Sequence, residues 1–391
     1  MRRLGILVTH PIQYYVPLFR YIVDNQVFDL IVYYCQKPSP KEQGAGFGVE
    51  FAWDIDLLSG YRHVWLENIS EKSGLDHFFG LDTPEIKELI KTQKFDAFMI
   101  MGWNYKSMWQ AMEACRQTST PLLVRGDSHL HIKGKWFKRF FKELTHRYLI
   151  KKFSACLAVG KWSREYFKHY GARKIFFSPH CVDNDFFYGE AIRWKKKESA
   201  LKEQWGIPQK SFVFLFAGKF ESKKRPMDLL LAVKKIAAKS PFDGQFHVLM
   251  VGDGELKKEC ELFTNAESLP VSFTGFLNQT EMPKAYAVSN ALVLSSDFRE
   301  TWGLVVNEAM SCGLPALVSD QAGCGPDLIT EGKNGSIFPC GNFHALSDKM
   351  IELIQKEREA GAAQEIRSII GEYSVKKAVQ GIVQVVQEIS R

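Results

Sequence analysis

SSDFRETWGLVVNEAMSCGLPALVSD, residues 295–320, predicts the end of a buried strand, a polar loop, a helix and the next strand. We expect the first strand to end near Ser296 and the helix to begin around Gly303. Gly313 is well placed to end the helix in a left-handed conformation, since Pro315 follows shortly after it. Strand, helix and strand in this order are typical of a parallel α/β sheet.

The same alternation of short apolar runs and amphipathic segments extends along the whole chain. Strands are predicted at 4–9, 28–34, 95–101, 121–125, 154–159 and 174–179, and again at 211–218, 245–252, 271–275, 291–296 and 315–320. A chain of 391 residues is too long for one ordinary core. We therefore expect an α/β fold with two Rossmann-like domains, residues 1–190 and 191–370, facing each other across a cleft. The charged stretch 190–210 separates the two halves, and an amphipathic helix within 371–391 is expected to pack back toward the N-terminal domain.

The net charge of +7 is a mild excess, which does not indicate a nucleic-acid partner. Residues 133–152 (KGKWFKRFFKELTHRYLIKK) carry eight basic residues and one Glu, so their net charge equals that of the whole chain. One interpretation is a helix with a solvated outer face. The other is a peripheral contact with anionic lipid, in which Trp136, Phe137, Phe140 and Phe141 lie beside the basic residues.

The cysteines and the apolar runs indicate the cellular compartment in which the protein is expected. The eight cysteines are scattered without metal-like spacing, which favours free thiols in a reducing environment. The N-terminal apolar run stops at His10-Pro11 and is typical of a first strand rather than a signal peptide. We expect a cytoplasmic protein, with the inner face of the plasma membrane as the place of any peripheral contact.

Several polar and glycine-rich clusters directly follow predicted strands. Gly218-Lys219 follows one of them, and Lys224 comes soon after. Glu300 precedes the helix that begins near Gly303, and Glu308 lies in its second turn. A helix N-terminus with positioned cations suits a diphosphate, and the two carboxylates suit sugar or ribose hydroxyls.

The pattern Glu300-x7-Glu308, with Trp302-Gly303-Leu304 between the two acids and 309–315 after them, resembles the signature of family 4 retaining glycosyltransferases. Those enzymes have the glycosyltransferase-B fold. The resemblance covers roughly 155–345, and further segments are similar to family elements in the expected order: Gly218-Lys219-Phe220 with Lys224, Gly252-Asp253-Gly254, Val271–Gly275, Asn334-Gly335 and Ser178–Asp183.

The resemblance implies a nucleotide-sugar donor site and a set of catalytic residues. The implied donor site comprises Gly218, Lys219, Lys224, Gly275, Phe276, Glu300, Trp302, Gly303, Leu304 and Glu308. The implied catalytic residues are Asp127, His129, Lys219, Lys224 and Glu300. It also implies transfer of a hexose-type sugar with retention, to a glycan or lipid-linked acceptor of surface polysaccharide biosynthesis. No metal and no cofactor are expected beyond the nucleotide-sugar co-substrate, for which UDP is favoured over GDP.

The N-terminal half departs from the family pattern. Thr9-His10-Pro11 stands after the first strand, where many members have a Gly-Gly loop that approaches the phosphates. Asp127 and His129 follow the strand 121–125 and occupy the place of the family's His-Asp element. Either side chain could orient the acceptor hydroxyl or the sugar; a structural role is the alternative for His129.

Four alternatives compete with this prediction, and the residues favour none of them over a glycosyltransferase. Asp54-Ile55-Asp56 could hold a divalent cation against a diphosphate, as in metal-dependent glycosyltransferases. Gly252-x-Gly254 could begin a dinucleotide site, although Lys257 stands where the third glycine belongs. A nucleotide-sugar 2-epimerase would share the two-domain architecture but lack the two spaced glutamates. A non-catalytic scaffold that binds a sugar or a partner would be expected to have lost at least one of the key charged residues.

Overall fold

The computed structural model describes residues 1–44, 46, 48–131, 136–239, 244–356 and 361–389. Contacts within the chain divide it into two compact units. Unit 1 comprises Met1–Pro38, Asp56–His180 and Ser374–Arg391, and unit 2 comprises Ser39–Ile55 and Cys181–Tyr373. Both units are therefore discontinuous in sequence.

Unit 1 contains a parallel sheet of seven described strands in the order β3-β2-β1-β4-β5-β6-β7. The strands are β1 (Arg3–Val8), β2 (Asp29–Tyr34), β3 (Arg62–Trp65), β4 (Ala97–Met101), β5 (Leu122–Gly126), β6 (Ala155–Ala158) and β7 (Ile175–Phe177). The helices are α1 (Val16–Asp24), α3 (Glu85–Gln93), α4 (Lys106–Thr118), α5 (Trp136–Ile150), α6 (Lys161–His169) and the last one, α16 (Val375–Ile389); α2 (Pro40–Gln43) belongs to unit 2. The central strands are mostly buried apolar runs, as is typical of a parallel sheet with helices on both faces.

Unit 2 contains a second parallel sheet, of six described strands in the order β10-β9-β8-β11-β12-β13. The strands are β8 (Phe212–Ala217), β9 (Phe246–Val251), β10 (Val271–Gly275), β11 (Ala291–Leu294), β12 (Ala316–Ser319) and β13 (Gly335–Phe338). Its helices are α7 (Asn184–Lys195), α8 (Glu198–Gln204), α9 (Pro226–Ala237), α10 (Lys257–Ala266), α11 (Met282–Val288), α12 (Leu304–Ser311), α13 (Gly325–Leu328), α14 (Phe343–Gln355) and α15 (Ala362–Gly371). In both sheets the strand order reverses beside the first strand of the unit, as in doubly wound folds.

The predicted α/β class and the two-domain organisation are confirmed. All the predicted strands are present within about two residues of the expected bounds. The sequence pattern missed β3, whose residues RHVW are partly polar at a sheet edge, and β13, whose residues GSIF are few and begin with glycine. Short edge strands give weak apolar periodicity, so neither was visible as a buried run.

The segment 190–210 differs from the expected connection between halves. Most of it is helical, in α7 and α8, and it belongs to unit 2. Asp183 caps α7 by accepting a hydrogen bond from the amide of Phe186 at 3.0 Å. The contact-defined division nearest to the predicted boundary at 190 therefore comes at His180, ten residues earlier.

The C-terminal helix α16 is part of unit 1, and the amphipathic pattern predicted that it would pack toward this N-terminal domain. Gly381 lies so close to β7 that a Cβ there would come within 1.9 Å of the carbonyl oxygen of Phe177. The Ser178 hydroxyl donates to the carbonyl of Ala378 at 2.9 Å, and the Arg2 guanidinium donates to that of Val386 at 3.1 Å. Within the described residues no helix is both long and apolar enough to cross a bilayer.

Candidate functional site

The loops after β8 and β9 lie backbone against backbone in unit 2. Gly252 has a φ of +129°, and a Cβ there would come within 1.9 Å of the carbonyl oxygen of Gly218. The amide of Gly218 donates to the carbonyl of Val251 at 3.0 Å. Glycine is required at this approach because any side chain would push the two loops apart. The close packing places Lys219 directly beyond the carboxyl end of β8.

Lys224 and Glu300, which the sequence separates by 76 positions, form an ion pair. Lys224 ends a short 3₁₀ turn, and Glu300 lies in the loop between β11 and α12. Only 12% of the Lys224 side chain and 14% of the Glu300 side chain are exposed. The Ser296 hydroxyl also donates to the Glu300 carboxylate, at 3.3 Å. The structure therefore brings together two of the predicted catalytic residues in a partly desolvated setting.

Lys219 has a lowered pKa, and burial of its ammonium group is the largest cause. Glu221 raises the pKa, while the positive charges of Lys223 and Lys224 lower it further. The positive charges of Lys219 and Lys224 thus repel each other. A diphosphate placed between them would relieve that repulsion.

The helix α12 begins at a turn that only glycine accommodates. Gly303 precedes Leu304 with a φ of +112°, and a Cβ there would come within 2.6 Å of the Leu294 side chain. The indole N–H of Trp302 donates to Asn307 Oδ1 at 2.8 Å, and Trp302 is buried. The Trp302 side chain thus holds the start of the helix, so the backbone of 302–304 is the part suited to a ligand. The sequence located this helix and its glycine caps correctly.

Glu308 lies in α12 with only 2% of its surface exposed. The Tyr286 hydroxyl donates to Glu308 Oε2 at 2.5 Å. A carboxylate buried to this degree is costly unless hydrogen bonds stabilise it, so Tyr286 helps to hold Glu308 in place. Sequence reasoning missed Tyr286, which lies in the amphipathic helix α11 and looks like an ordinary core residue there.

Gly275 ends β10 and Phe276 follows it, at the same edge of the sheet as Lys219. Gly275 has a φ of +76°, and its carbonyl accepts from the amide of Gly252 at 2.9 Å. The ring of Phe276 lies 4.3 Å from the ring of Phe51, centroid to centroid. The ten predicted donor-site residues all lie in unit 2, on the loops after β8, β10 and β11 or in α12.

Asp127 and His129 lie in unit 1, beyond β5. The Asp127 carboxylate lies 3.7 Å from Nε2 of His180, and burial lowers the pKa of that imidazole, although Asp127 opposes the effect. His129 is 1% exposed, its Nδ1 accepts from the amide of His131 at 3.2 Å, and its ring packs on Trp162 at 5.3 Å. This burial favours a structural contribution from His129, whereas Asp127 is partly exposed.

Two residues around Asp127 were not singled out from the sequence. Arg125 is 3% exposed and donates to the carbonyls of Ser178 (3.2 Å) and Pro179 (2.6 Å), which fixes the segment that carries His180. His180 stands at a position of the Ser178–Asp183 motif where the family pattern has Asn. That substitution was a visible signal for an unusual side chain beside Asp127.

The two acids of the metal-dependent alternative bond to different parts of the chain. Asp54 accepts from the amide of Thr280 at 3.2 Å, and Asp56 accepts from the amides of Leu58 (2.9 Å) and Ser59 (3.1 Å). Asp54 belongs to unit 2 and Asp56 to unit 1. Both carboxylates are thus engaged in local structure.

The dinucleotide alternative rests on the loop after β9, where Asp253 forms an ion pair with Lys257 at 2.7 Å. The Asp253 carboxylate also accepts from the amide of Gly254, at 2.8 Å. The third-glycine position of that motif is therefore occupied by a lysine that neutralises the preceding acid.

The two parallel sheets and their strand orders are those of the glycosyltransferase-B fold, so the expected fold is confirmed. Residues 197–376 match the family model described as glycosyl transferases group 1.

Similar proteins were found by sequence and by structure. The chain is 35% identical over 183 residues to the sulfoquinovosyl transferase SQD2 of Arabidopsis thaliana. The aligned region spans 46% of this chain and 32% of that protein. The match thus covers less than half of that relative's length. Among solved structures, a glycosyltransferase from Rickettsia africae superposes with a TM-score of 0.74 at 15% identity, covering 99% of this chain and 98% of the other. The structure of Anabaena Alr3699/HepE in complex with UDP and glucose superposes with a TM-score of 0.69 at 17% identity. This superposition covers 99% of this chain and 100% of the other. At these identities the structural likeness shows the fold.

Proposed function

We propose that the chain is a family 4 retaining glycosyltransferase that moves a hexose-type sugar from a nucleoside-diphosphate sugar to a glycan or lipid-linked acceptor. Surface polysaccharide biosynthesis is the process that such an acceptor suggests. The observation that carries the proposal is the ion pair between Lys224 and Glu300, which lies beside Gly218 and the start of α12. An Alr3699/HepE structure that holds UDP and glucose supports the choice of ligand class.

The proposed chemistry uses fixed charges rather than a protein nucleophile. As the glycosidic bond breaks, negative charge develops on the nucleoside diphosphate, and Lys219 and Lys224 would stabilise it together with the N-terminal amides of α12. Donor binding would open the Lys224–Glu300 pair, so that the lysine meets phosphate and the carboxylate meets a sugar hydroxyl. Glu308, held by Tyr286, would accept from the ribose. These contacts need no metal ion.

Retention of configuration is proposed to follow from front-face substitution. The acceptor oxygen attacks the anomeric carbon on the side from which the phosphate departs, and the departing phosphate oxygen takes the acceptor's proton. Asp127 is the residue of unit 1 that we propose to orient the acceptor hydroxyl, because its carboxylate is partly exposed. The predicted contribution of His129 would be to hold the loop that carries Asp127.

The test is calorimetric titration of UDP, GDP and ADP into the purified protein in EDTA. We expect UDP to bind and GDP to bind more weakly. Lys224→Ala and Glu308→Gln should each weaken binding by about tenfold or more, since each removes a charged contact of roughly 1.5–3 kcal/mol. Lys223→Ala is the matched control, because this neighbouring lysine pairs with Glu221 at 3.2 Å. If no nucleotide binds, or if both variants bind like the wild type, the donor site is wrong and a non-catalytic scaffold becomes the better proposal.

A nucleotide-sugar 2-epimerase is the competing enzymatic proposal. It would convert a UDP-sugar without any acceptor, whereas a transferase releases UDP only when an acceptor is present or water replaces it. Incubation with UDP-sugars followed by separation of the products distinguishes them: a new UDP-sugar isomer would favour the epimerase.

We further propose that α5 contacts anionic lipid at the inner face of the plasma membrane, as a lipid-linked acceptor would require. Large apolar side chains are exposed along this helix: Trp136, Phe140, Phe141, Leu144 and Tyr148. Lys152 lies over the ring of Tyr148 at 4.1 Å, so basic and aromatic groups share this surface. Residues 133–135 and the side chain of Phe137 lie outside the described part.

Co-sedimentation with vesicles tests the lipid contact. We expect binding to phosphatidylglycerol-containing vesicles and little to pure phosphatidylcholine, and Phe140→Ser should reduce the bound fraction several-fold. Phe79→Ser, which changes an equally exposed ring of unit 1, is the control. Equal binding of Phe140→Ser and wild type would favour the solvated-face interpretation.

A further inference from the structure

Residues 39–55, which include α2, lie between two strands of unit 1 along the chain, yet they pack with unit 2. In sequence they lie between β2 and β3, which both belong to the sheet of unit 1. Their contacts nevertheless assign Ser39–Ile55 to unit 2. We call the described residues 46 and 48–54 the crossing segment.

The first part of the crossing segment lies against the loops after β8 and β9. Gly46 has a φ of +82°, and a Cβ there would come within 3.1 Å of both Cδ and Nζ of Lys219. Gly48 has a φ of +70°, and a Cβ there would lie 3.6 Å from Oδ1 of Asp253. A side chain at position 46 would press on the lysine ammonium group. Glycine thus allows the backbone to approach the lysine that is predicted to hold the diphosphate.

The second part of the crossing segment lies against the loop after β10. The rings of Phe51 and Phe276 are 4.3 Å apart with an interplanar angle of 32°, and Trp53 meets Phe51 edge-on at 4.9 Å. The Asn278 amide donates to the carbonyl of Ala52 at 2.8 Å. The segment thus passes the ends of β8, β9 and β10 in sequence order.

Asp54 anchors the end of the crossing segment. Its carboxylate accepts from the amide of Thr280 at 3.2 Å and from the Thr280 hydroxyl. The Asp54 carboxylate is therefore bonded to Thr280 rather than directed at Lys219, and Glu50, the other acid of the segment, is exposed. A segment that blocked the site by imitating a diphosphate would be expected to place its carboxylate on that lysine.

We propose that the crossing segment forms one wall of the donor site and binds the nucleoside diphosphate directly. Its glycine backbone at position 46 would lie along the phosphates that Lys219 holds, and the Phe51–Phe276 pair would give the base an aromatic face beside Gly275. Aromatic side chains bind bases by stacking, and close glycine backbone is suited to phosphates. The inference rests on the proposed function, because it assigns a further element to the same donor site.

The experiment is titration of UDP and of inorganic pyrophosphate, in EDTA, into Phe51→Ala, Asp54→Ala and the wild type. Phe51→Ala should weaken UDP binding by about tenfold, since stacking on an aromatic ring contributes roughly 1–3 kcal/mol. Pyrophosphate has no base, so its affinity should change little in this variant. Asp54→Ala, which releases the anchor, should weaken both ligands by about fivefold. Asp56→Ala is the matched control, because the Asp56 carboxylate accepts hydrogen bonds from the amides of Leu58 and Ser59 and not from Thr280.

Phe51→Leu provides a second variant that keeps most of the apolar volume if Phe51→Ala fails to fold. Phe51→Leu should still weaken the binding of UDP more than the binding of pyrophosphate. Unchanged UDP affinity in folded Phe51 and Asp54 variants, while Lys224→Ala weakens it, would overturn the crossing-segment proposal and leave the proposed function standing. Tighter UDP binding in Asp54→Ala would also overturn it, in favour of a segment that obstructs the site. If the wild type binds neither UDP nor pyrophosphate, both proposals fail.

Discussion

Replacing Gly252 with Ala tests whether the contact between the β8 and β9 loops positions Lys219. The added Cβ would start 1.9 Å from the carbonyl oxygen of Gly218, whereas real Cβ contacts begin at about 3.0 Å. The loops would therefore have to separate by about 1 Å. Because Lys219 directly follows Gly218, this displacement moves the lysine away from its place beside the end of β8.

The expected cost combines backbone strain and overpacking. A residue other than glycine at a φ of +129° costs roughly 1–3 kcal/mol, and forcing the loops apart costs a similar amount. We expect the free energy of unfolding to fall by about 4 kcal/mol. In a unit of roughly 200 residues each kcal/mol lowers the Tm by about 2–4 °C, so the Tm should fall by about 8–16 °C.

Gly332→Ala is the matched control for this substitution. Gly332 also belongs to unit 2 and has a φ of +75°, but nothing lies within 4 Å of a Cβ added there. It should cost only about 1 kcal/mol. Calorimetry gives the Tm of both variants, and titration gives their affinity for UDP. Equal losses of Tm in the two variants, with UDP affinity unchanged in Gly252→Ala, would refute the reasoning.

Three further predictions concern charged and titrating groups in unit 2. Tyr286→Phe should lower the free energy of unfolding by about 2 kcal/mol in urea denaturation, because it removes a donor from the buried carboxylate of Glu308; an unchanged midpoint would contradict it. Lys224→Met should be destabilising, and a double-mutant cycle with Glu300→Gln should give a coupling energy of about 1–2 kcal/mol, whereas a value near zero would exclude a stabilising pair. Burial lowers the pKa of His247 to about 4 from its ordinary 6.5, so the folded state binds fewer protons than the unfolded chain below pH 6.5. The free energy of unfolding should therefore fall by about 2 kcal/mol between pH 7 and pH 5, and His247→Gln should reduce that slope; an identical pH profile in the variant would contradict the assignment.

Local sequence signals accounted for most of the fold. Buried parallel strands are continuous apolar runs, so β1, β8 and β9 stood out, and the glycines at both ends of α12 marked its bounds. The strand β3 did not stand out in the sequence, because it is partly polar and lies at the edge of the described sheet, where it pairs with β2. Its register is set by the pairing of Ile31 with Arg62 and of Tyr34 with Trp65, which no local pattern encodes.

The candidate site was predicted only where residues close in space share a motif. Glu300 and Glu308 were predicted through a spacing that resembles a known family, and the structure places Lys224 against Glu300. Tyr286 comes from a different helix, and its hydrogen bond to Glu308 depends on how α11 packs. Residues 39–55 gave no such signal, because their partners at 276–280 lie more than 200 positions further along the chain.

The position of α16 has a consequence for how the protein is made. Unit 1 begins with Met1–Pro38 but is completed by Ser374–Arg391, which are synthesised after all of Cys181–Tyr373. Until then the surface that α16 covers on α1 and β7 stays open, and the closely approached backbone at Phe177 has no helix against it. During translation unit 2 can therefore complete its sheet while unit 1 still lacks α16.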